Sequence, residues 1–560
     1  MNIPDRLRKI KYRASNETIS SFSGLKLITD LAAKLGILKG LNRLTVKKRQ
    51  RGIPICDFVM SIVNILLAGG QHLKDLERLR EERSTRKLLY GLVVPAPTTA
   101  GETLRKFHIG HIKQIERVIK QALLRSVDLM GGSKPITLDL DSSIFEVYGY
   151  FKEGVRRTYN KTKGFNPVLC FWSETRLLIG ARLRAGNHHS DYKVVSFLKE
   201  CLSRLPKNRP IRVRCDSGFY NRYMVEELLK RRVAFSITAR LTALVRNAIE
   251  SIAEEAWAPY PWQVGTQWAE CSFQPCKWSQ AFRLIVKRTE WFEGDQRVLG
   301  KYLYTPVITN RRGAGSSLIR HHLARGGAEN YIEEFKNGLG ARLLPSQCFM
   351  ANWAWLVIAQ LAYNLAQWFK LLLLPVREQA QQLKSLRLHW WCVAGRLARS
   401  ARCTILYVSK AMKCCAQHFL ALQHQVAALK MKRPRPQFSF FDRMLWVFLR
   451  RCWKRWAEAL IIVKPETVVR WHRVGFRRYW TWISRKRRPG RPRIEKELRE
   501  LIRTMACENP SWGAPRIHGE LMKLGFEVSE RTASRYLPRR PPDPGNVEGM
   551  PSSVPRCSEP

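Results

Sequence analysis

Acidic side chains recur at three places where a regular element would aim them at a common point. The first is the segment LDLD, in which Asp139 and Asp141 lie two residues apart and so share one face of a strand. The second is Asp216 in VRCDSGFY, at the end of an apolar run beside glycine. Strand ends of this kind expose functional groups in α/β folds, although an ordinary aspartate turn has the same appearance. The third is HHLARGGAENYIEEFKNGLG, residues 321–340, which holds Glu329, Glu333 and Glu334 beside Arg325 and Lys336. At 100° per residue, His322, Arg325, Glu329, Glu333 and Lys336 fall within a narrow arc of a helix, and Glu334 points away. The spacing removes Glu334 and leaves Glu329 and Glu333 equivalent. A solvated, salt-bridged face would carry the same pattern. Gly326 and Gly327 weaken the helix beside Arg325, each by about 1 kcal/mol relative to alanine. If these acids converge, they can hold hard cations, because Mg²⁺ prefers oxygen ligands. Paired cations in turn serve in-line phosphoryl displacement.

The elements that must carry the acids follow from periodicity. From Pro135 onward ITLDLDSSIFEVYG, NPVLCFW and RLLIGARLRAG read as strands, and DYKVVSFLKECLSRL as a helix. IRVRCDSG is a strand, NRYMVEELLKRR a helix and VAFSITARL a strand, giving the order β-β-β-α-β-α-β. Residues 242–315, rich in Trp, Tyr and β-branched side chains, read as a β-rich insertion, and 316–430 as the end of the core followed by further helices. Residues 1–130 read as helices, with Thr99 a candidate N-cap and Glu102 three residues on. This basic helical region suits DNA-end recognition or a purely structural lobe. An acid on strand 1, one after strand 4 and one on a helix after strand 5 is the arrangement of the ribonuclease H fold. The expected class is therefore α/β, with a ribonuclease H-like core of a mixed five-stranded sheet and helices, a β-rich insertion, and flanking helical DNA-binding regions.

Composition narrows the partners. The 560 residues include 98 Lys and Arg against 45 Asp and Glu, a formal net charge of +53. Such a surplus repels itself unless a polyanion neutralises it, which points to nucleic acid. The 14 cysteines form no C-x-x-C pair, so neither a zinc site nor a disulfide framework is indicated, and reduced thiols fit a cytoplasmic, nucleoid-associated protein. The stretch NWAWLVIAQLAYNLAQWFKLLLL from Asn352 has the length of a membrane span. Its polar residues Gln360, Asn364 and Gln367 share one helical face, so it reads as a buried amphipathic helix, and no membrane partner is expected.

Residues 1 to about 430 resemble bacterial insertion-sequence transposases of the DDE type that carry a β-rich insertion before the last acid. The family's helix signature, Y-x2-R-x3-E-x6-K, is met in spacing by His322, Arg325, Glu329 and Lys336, with His in place of Tyr. The resemblance implies that Glu329 is the third catalytic acid. It favours Asp141, which precedes Ser142 and Ser143, over Asp139 as the first acid, and takes Asp216 as the second. These three, with Asp139 as a further candidate ligand, would hold Mg²⁺ or Mn²⁺, while His322, Arg325 and Lys336 would contact DNA. The implied substrates are the element's terminal inverted repeats and target DNA, bound by a homodimer on paired ends. In the resembling enzymes the insertion supports the flipped base or hairpin end. Trp257, Trp262 and Trp268 could accordingly stack on bases, or simply pack a β-core.

After the basic, proline-rich KMKRPRPQ the chain changes character. Residues 431–545 resemble the DNA-binding front of integrase-type transposases from a different insertion-sequence group. KPETVVRWHRVGF, with Pro465 in the first turn of a short helix, and SERTASRYL would each supply a recognition helix. In NPSWGAPRIHGELMKLGFEVSERTASRYL, which ends in the latter, a helix is followed by a turn at Gly525 and then a helix capped by Ser529. Between them RRPGRPR, with Arg488, Arg491 and Arg493, resembles a minor-groove hook. Residues 546–560 have no periodicity and are expected to be disordered. A whole transposase followed by the truncated front of another is the expected organisation. The alternative reading is a regulatory or catalytically inactive fusion that binds element ends.

Overall fold

The structure, a computed structural model, describes residues 17–46, 52–131, 134–149, 151–276, 278–293, 296–400, 403–408, 440–452, 465–484 and 494–538. It divides into two compact units, Met1–His472 and Arg473–Pro560. The first unit opens with strand β1 (Ile19–Ser20) and helices α1 (Leu25–Lys34), α2 (Ile55–Ala68), α3 (Pro97–Arg105) and α4 (Ile109–Met130). Proline, with its fixed φ and no N–H, suits a first helical position, and α3 starts at Pro97. Thr99 therefore lies inside the helix rather than capping it.

Strand β2 (Ile136–Ser142) follows, then a small sheet of β3 (Phe145–Glu146), β4 (Arg156–Arg157) and β5 (Lys163–Phe165), then β6 (Val168–Trp172) and β7 (Leu177–Arg182). Helix α5 (Val194–Arg204) leads to β8 (Ile211–Cys215), and α6 (Arg222–Lys230) to β9 (Ala234–Thr238). These core strands lie in the order β7-β6-β2-β8-β9. β6 and β7 are antiparallel to their neighbours, whereas β2, β8 and β9 run parallel. Being central, β2 is buried continuously from Ile136 to Leu140, on both faces.

The tryptophan-rich segment does not fold apart from this sheet. Its strands β10 (Ala258–Pro259), β11 (Thr266–Phe273), β12 (Phe282–Glu293) and β13 (Gln296–Thr309) continue it as an antiparallel meander, with β13 paired to β9. A nine-stranded mixed sheet results. After it come α7 (Gly315–Leu323), a 3-10 turn at Ala324–Gly326, α8 (Gly327–Glu333) and a π-turn at Glu334–Gly338.

Helix α9 (Phe349–Leu373) is long and apolar enough to cross a membrane, yet 94% of its most apolar window is buried inside the protein. Its polar stripe faces inward rather than to solvent. Asn364 accepts from the Leu178 N–H at 2.8 Å and donates to the Leu178 carbonyl at 2.9 Å. Gln360 donates to the same carbonyl at 2.8 Å. These amides satisfy the open edge of β7, which would otherwise bury unpaired backbone groups. The helix is thus buried all round, with a polar face that the sheet edge requires. Leu31, Val63, Leu104 and Ile119 of the N-terminal helices share one continuous core with Leu140 of the sheet and Trp355 of α9. The boundary expected near residue 130 is therefore not a break in packing.

Where further helices were expected, the hairpin β14 (Gly395–Ser400) and β15 (Cys403–Val408) pairs back onto β1. Farther on, α10 (Phe440–Cys452) meets α11 (Pro465–Ser484) around Trp446, Leu449 and Val468. Pro465 opens α11 as anticipated, but the helix continues for 20 residues instead of ending short. In the second unit α12 (Lys496–Glu508), α13 (Ala514–Lys523) and α14 (Glu530–Tyr536) pack around Ile502, Ile517, Leu521 and Ala533. Gly525, at φ +83°, makes the left-handed turn between α13 and α14, and Ser529 holds the N-cap position of α14.

Candidate active site

Parallel pairing of β2 with β8 sets the acids. Leu140 lies opposite Cys215, so the next residues, Asp141 and Asp216, leave neighbouring strands side by side. Asp141 is 15% exposed; its Oδ2 accepts from Arg325 Nη1 at 3.0 Å and its Oδ1 from the Ser142 N–H at 2.8 Å. Burial pushes its carboxyl up to about 6; the Arg325 guanidinium opposes the shift and the Asp216 charge adds to it. Asp216 caps a short 3-10 turn, accepting from the Gly218 N–H at 3.0 Å.

Asp139, on the same strand face, has a different environment. It is fully buried opposite Arg214, whose Nε and Nη2 donate to its two oxygens at 2.6 and 2.7 Å. Arg214 also donates to Ser173 Oγ at 2.9 Å and to the His321 carbonyl at 2.5 Å. Both carboxylate oxygens of Asp139, expected as a further candidate ligand, are engaged in this buried fork with Arg214.

The helical segment after β13 distributes its residues differently from the single arc that uniform 100° spacing gives. His322, expected to contact DNA, is 2% exposed. Its Nε2 lies 2.9 Å from Thr238 Oγ1 and its Nδ1 3.1 Å from Ser236 Oγ. Burial, together with the Arg325 and Arg214 charges, drives its pKa down to about 3. A neutral ring locked onto β9 positions α7; it has no surface to offer a phosphate. Arg325, in the 3-10 turn, reaches Asp141. Glu329 is exposed and makes no side-chain hydrogen bond or ion pair among the described residues. Glu333 accepts from Asn337, and Lys336 is half-buried. Glu334 points away from Glu329 and Glu333 as its spacing requires, and the structure turns it inward, accepting from the Leu383 N–H at 2.8 Å and lying 3.5 Å from Lys370 Nζ.

The expected triad therefore closes only in part. Among the described residues no three His, Cys, Asp or Glu side chains are grouped closely enough to hold a metal ion. Asp141 and Asp216 nonetheless form an oxygen-only donor pair whose mutual repulsion a divalent cation would relieve, and their chemistry fits Mg²⁺ or Mn²⁺. Arg325 supplies the positive charge beside Asp141 here.

Sequence reading missed the loop between β7 and α5. Ser190 Oγ lies 2.8 Å from Ser142 Oγ, beside Asp141. His189 Nδ1 meets Asp191 Oδ1 at 2.8 Å, and Asn221 donates to Asp191 Oδ2 at 3.3 Å. Arg240 donates to the Ser217 carbonyl at 2.9 Å and approaches His189 Nε2 at 3.4 Å. The buried Arg184 fixes the loop through the carbonyls of Asn166, His189 and Ser190. The only sequence signal is a polar run, GNHHSDY, placed between a strand and a helix.

Of the tryptophans considered for base stacking, Trp257 is buried with Arg288 4.1 Å above its ring. Trp268 is partly buried, and Trp262 is 43% exposed beside Arg320. Arg488, Arg491 and Arg493 lie outside the described residues.

Among curated proteins none matches the chain. Among solved structures, it is similar to a piggyBac transposase synaptic complex with hairpin DNA, determined by cryo-EM. The likeness is 12% in sequence identity and 0.35 in TM-score, covering 76% of this chain and 84% of that one. Residues 3–431 match the family described as Transposase DDE domain group 1, and by that match across most of its length the protein belongs to the DDE transposase family.

Proposed function

We propose that the protein cleaves DNA at the ends of an insertion element and joins the 3′-ends to target DNA, with Asp141, Asp216 and Glu329 as its acids. The observation that carries this reading is the placement of Asp141 and Asp216 at adjacent parallel strand ends, with Arg325 reaching in from the following helix. The core order β7-β6-β2-β8-β9, with only the last three strands parallel, supports a ribonuclease H-like core. Bound Mg²⁺ or Mn²⁺ would be held by these acids and would activate the attacking oxygen and stabilise the departing one. The chain's own residues do the rest. Asp141 and Asp216 orient the reacting phosphate's surroundings, and Arg325, freed from Asp141, can fork onto a phosphate. Lys336 adds a second positive charge on the same segment, and Ser142 with Ser190 holds the loop that bounds the site. Glu329 joins the pair by a resetting of the α7–α8 segment. A homodimer on paired inverted repeats, and helix-turn-helix contacts by the C-terminal region with the RRPGRPR hook, complete the proposal.

Purified full-length protein is incubated with a labelled fragment carrying the element end, in Mg²⁺ or Mn²⁺. Asp141→Asn, Asp216→Asn and Glu329→Gln are each expected to reduce nicking to background while end binding persists. Robust cleavage by any one of them overturns the assignment of that acid. A strand-transfer assay with a pre-cut end separates a transposase from a nuclease that only hydrolyses. The solvent-exposed position of Glu329 favours one second reading, a DNA-binding regulator. Specific, salt-sensitive end binding by a wild type that never cleaves would establish it.

A further inference from the structure

We propose that the small sheet β3-β5-β4 is a landing surface for an unpaired DNA strand beside the cleavage point. The inference rests on the transposase reading and adds to it a surface outside the acid cluster. Between Phe145 and Phe165 the chain carries Lys152, Arg156, Arg157, Lys161 and Lys163 against Glu146 and Glu153. Lys152 is half-buried and donates to the Leu344 carbonyl, which makes it an anchor. The other four cations, with Gly149 and Val155, line a recess of about 410 Å³. Among the described residues no carboxylate pairs with Arg156, Arg157 or Lys161. On the same small sheet and its loops, Tyr148 is 91% exposed, Phe151 83% and Tyr159 72%.

That combination selects its partner. Cations suit any phosphate backbone, but a duplex hides the faces of its bases. Aromatic rings standing in solvent gain contact only from a strand whose bases are unstacked, which is how single strands are held on mixed cationic and aromatic surfaces.

The surface is preset rather than loose. Thr158 and Thr162 close the β4–β5 hairpin through an N–H to carbonyl bond of 2.8 Å and paired hydroxyls at 3.0 Å. Lys161 takes a left-handed φ of +64° at that tip. The Glu153 N–H donates to the Gln347 carbonyl at 2.8 Å, and its carboxylate accepts from the Phe349 N–H at 2.9 Å. A Cβ on Gly164 would lie 2.4 Å from the Phe145 carbonyl oxygen, so β3 and β5 are in closest approach. Both roots of this sheet stand beside the acids. β3 starts four residues after Asp141, and β5 leads into Val168, the register partner of Ser142. Four extended residues span at most about 14 Å, so the root of β3 lies close to Asp141, and a strand cut there can run along this small sheet toward the recess.

The test uses the full chain, without divalent metal, and a fluorescent duplex bearing a single-stranded tail beside the same duplex made blunt, followed by anisotropy across a KCl series. Arg156→Ala/Arg157→Ala/Lys161→Ala should lower the slope of log affinity against log salt by about two on the tailed probe, at about 0.7 per lost contact. Tyr148→Ala/Tyr159→Ala should weaken the tailed probe roughly tenfold and the blunt probe far less. Arg156→Lys/Arg157→Lys should keep the wild-type slope, which separates charge from folding, and Lys207→Ala/Lys230→Ala should leave it unchanged. Unchanged binding in both test variants, equal losses on the two probes, or an equal loss in the Lys207/Lys230 control would each overturn the proposal. Failure of the transposase reading shows separately, as a wild type that does not nick DNA when Mg²⁺ is supplied.

Discussion

Asp141 and Asp216 ride on neighbouring strands, while Glu329 rides on a helical segment that changes pitch three times. The strand register allows each aspartate one position, because slipping β2 by a residue would exchange its two buried faces and take Asp139 away from Arg214. The helical segment is held at its two ends, by His322 on β9 and by Glu334 on Leu383 and Lys370, but no register fixes the pitch between them. It tightens to 3-10 at Ala324–Gly326, relaxes at Gly327 and widens to π at Glu334–Gly338. Neither Gly326 nor Gly327 packs tightly, since a Cβ at Gly326 would meet nothing within 4 Å and one at Gly327 only the Tyr331 hydroxyl at 3.6 Å. Strand pairing thus brings the two aspartates together, whereas Glu329 stands on a segment of mixed pitch and is exposed. Changes of pitch of this kind inside helices recur at functional sites.

The contrast can be broken most forcefully on the rigid side. Arg214→Met leaves the buried Asp139 carboxyl without its partner, and should cost about 3–5 kcal/mol in urea unfolding. The double variant Asp139→Leu/Arg214→Met should recover most of that loss and keep Mn²⁺ binding. Loss of Mn²⁺ by a folded double variant would return Asp139 to the ligand set.

A second prediction concerns pH and stability. The folded protein holds His322 neutral down to about pH 3, whereas an exposed histidine takes its proton near 6.5. His321, at about 4, acts in the same direction. The unfolded chain therefore binds more protons between these values, so stability is complete above about 6.5 and declines as pH falls toward 3. His322→Gln should flatten that decline in melting temperatures measured across the window. A profile as steep as wild type would remove His322 from the account.

The same reasoning sharpens the acid pair. With Asp141 raised to about 6, protons compete with cations there, and Mn²⁺ affinity by calorimetry should drop as pH is lowered through 6. A pH-independent affinity would mean that Asp141 is not a ligand. The smallest effect is expected on the adjustable side. Gly326→Ala and Gly327→Ala should each stabilise the helix by about 1 kcal/mol or less, yet slow strand cleavage by stiffening the segment that brings Glu329 in. Faster or unchanged cleavage would show that the segment need not move.

Much of the framework was legible from the chain. The β-β-β-α-β-α-β order of the core, Asp216 at a strand end and the separation of Glu334 from Glu329 and Glu333 all follow from local periodicity, and each is found in the structure. Thr99 as a cap was not, because Pro97 two residues earlier is the stronger start signal. His322 illustrates the deeper difficulty. Its spacing placed it beside Arg325 and Glu329, but the 3-10 turn and the hydroxyls of Ser236 and Thr238 draw it into the interior. Nor does spacing show that the polar stripe of α9 exists to satisfy the open edge of β7.

By itself the sequence determined what kinds of side chain were present and how they alternate along each element, and with them the basic charge and the family match. Only the tertiary structure decided which of two aspartates on one strand face is held by a buried two-pronged arginine and which meets a single arginine at a partly exposed strand end. That choice depends on Arg214, a residue 75 positions away brought opposite Asp139 by strand pairing. Local pattern fixes the direction in which a side chain leaves its own backbone. The charge and solvent it meets there are set by the neighbours that the fold delivers.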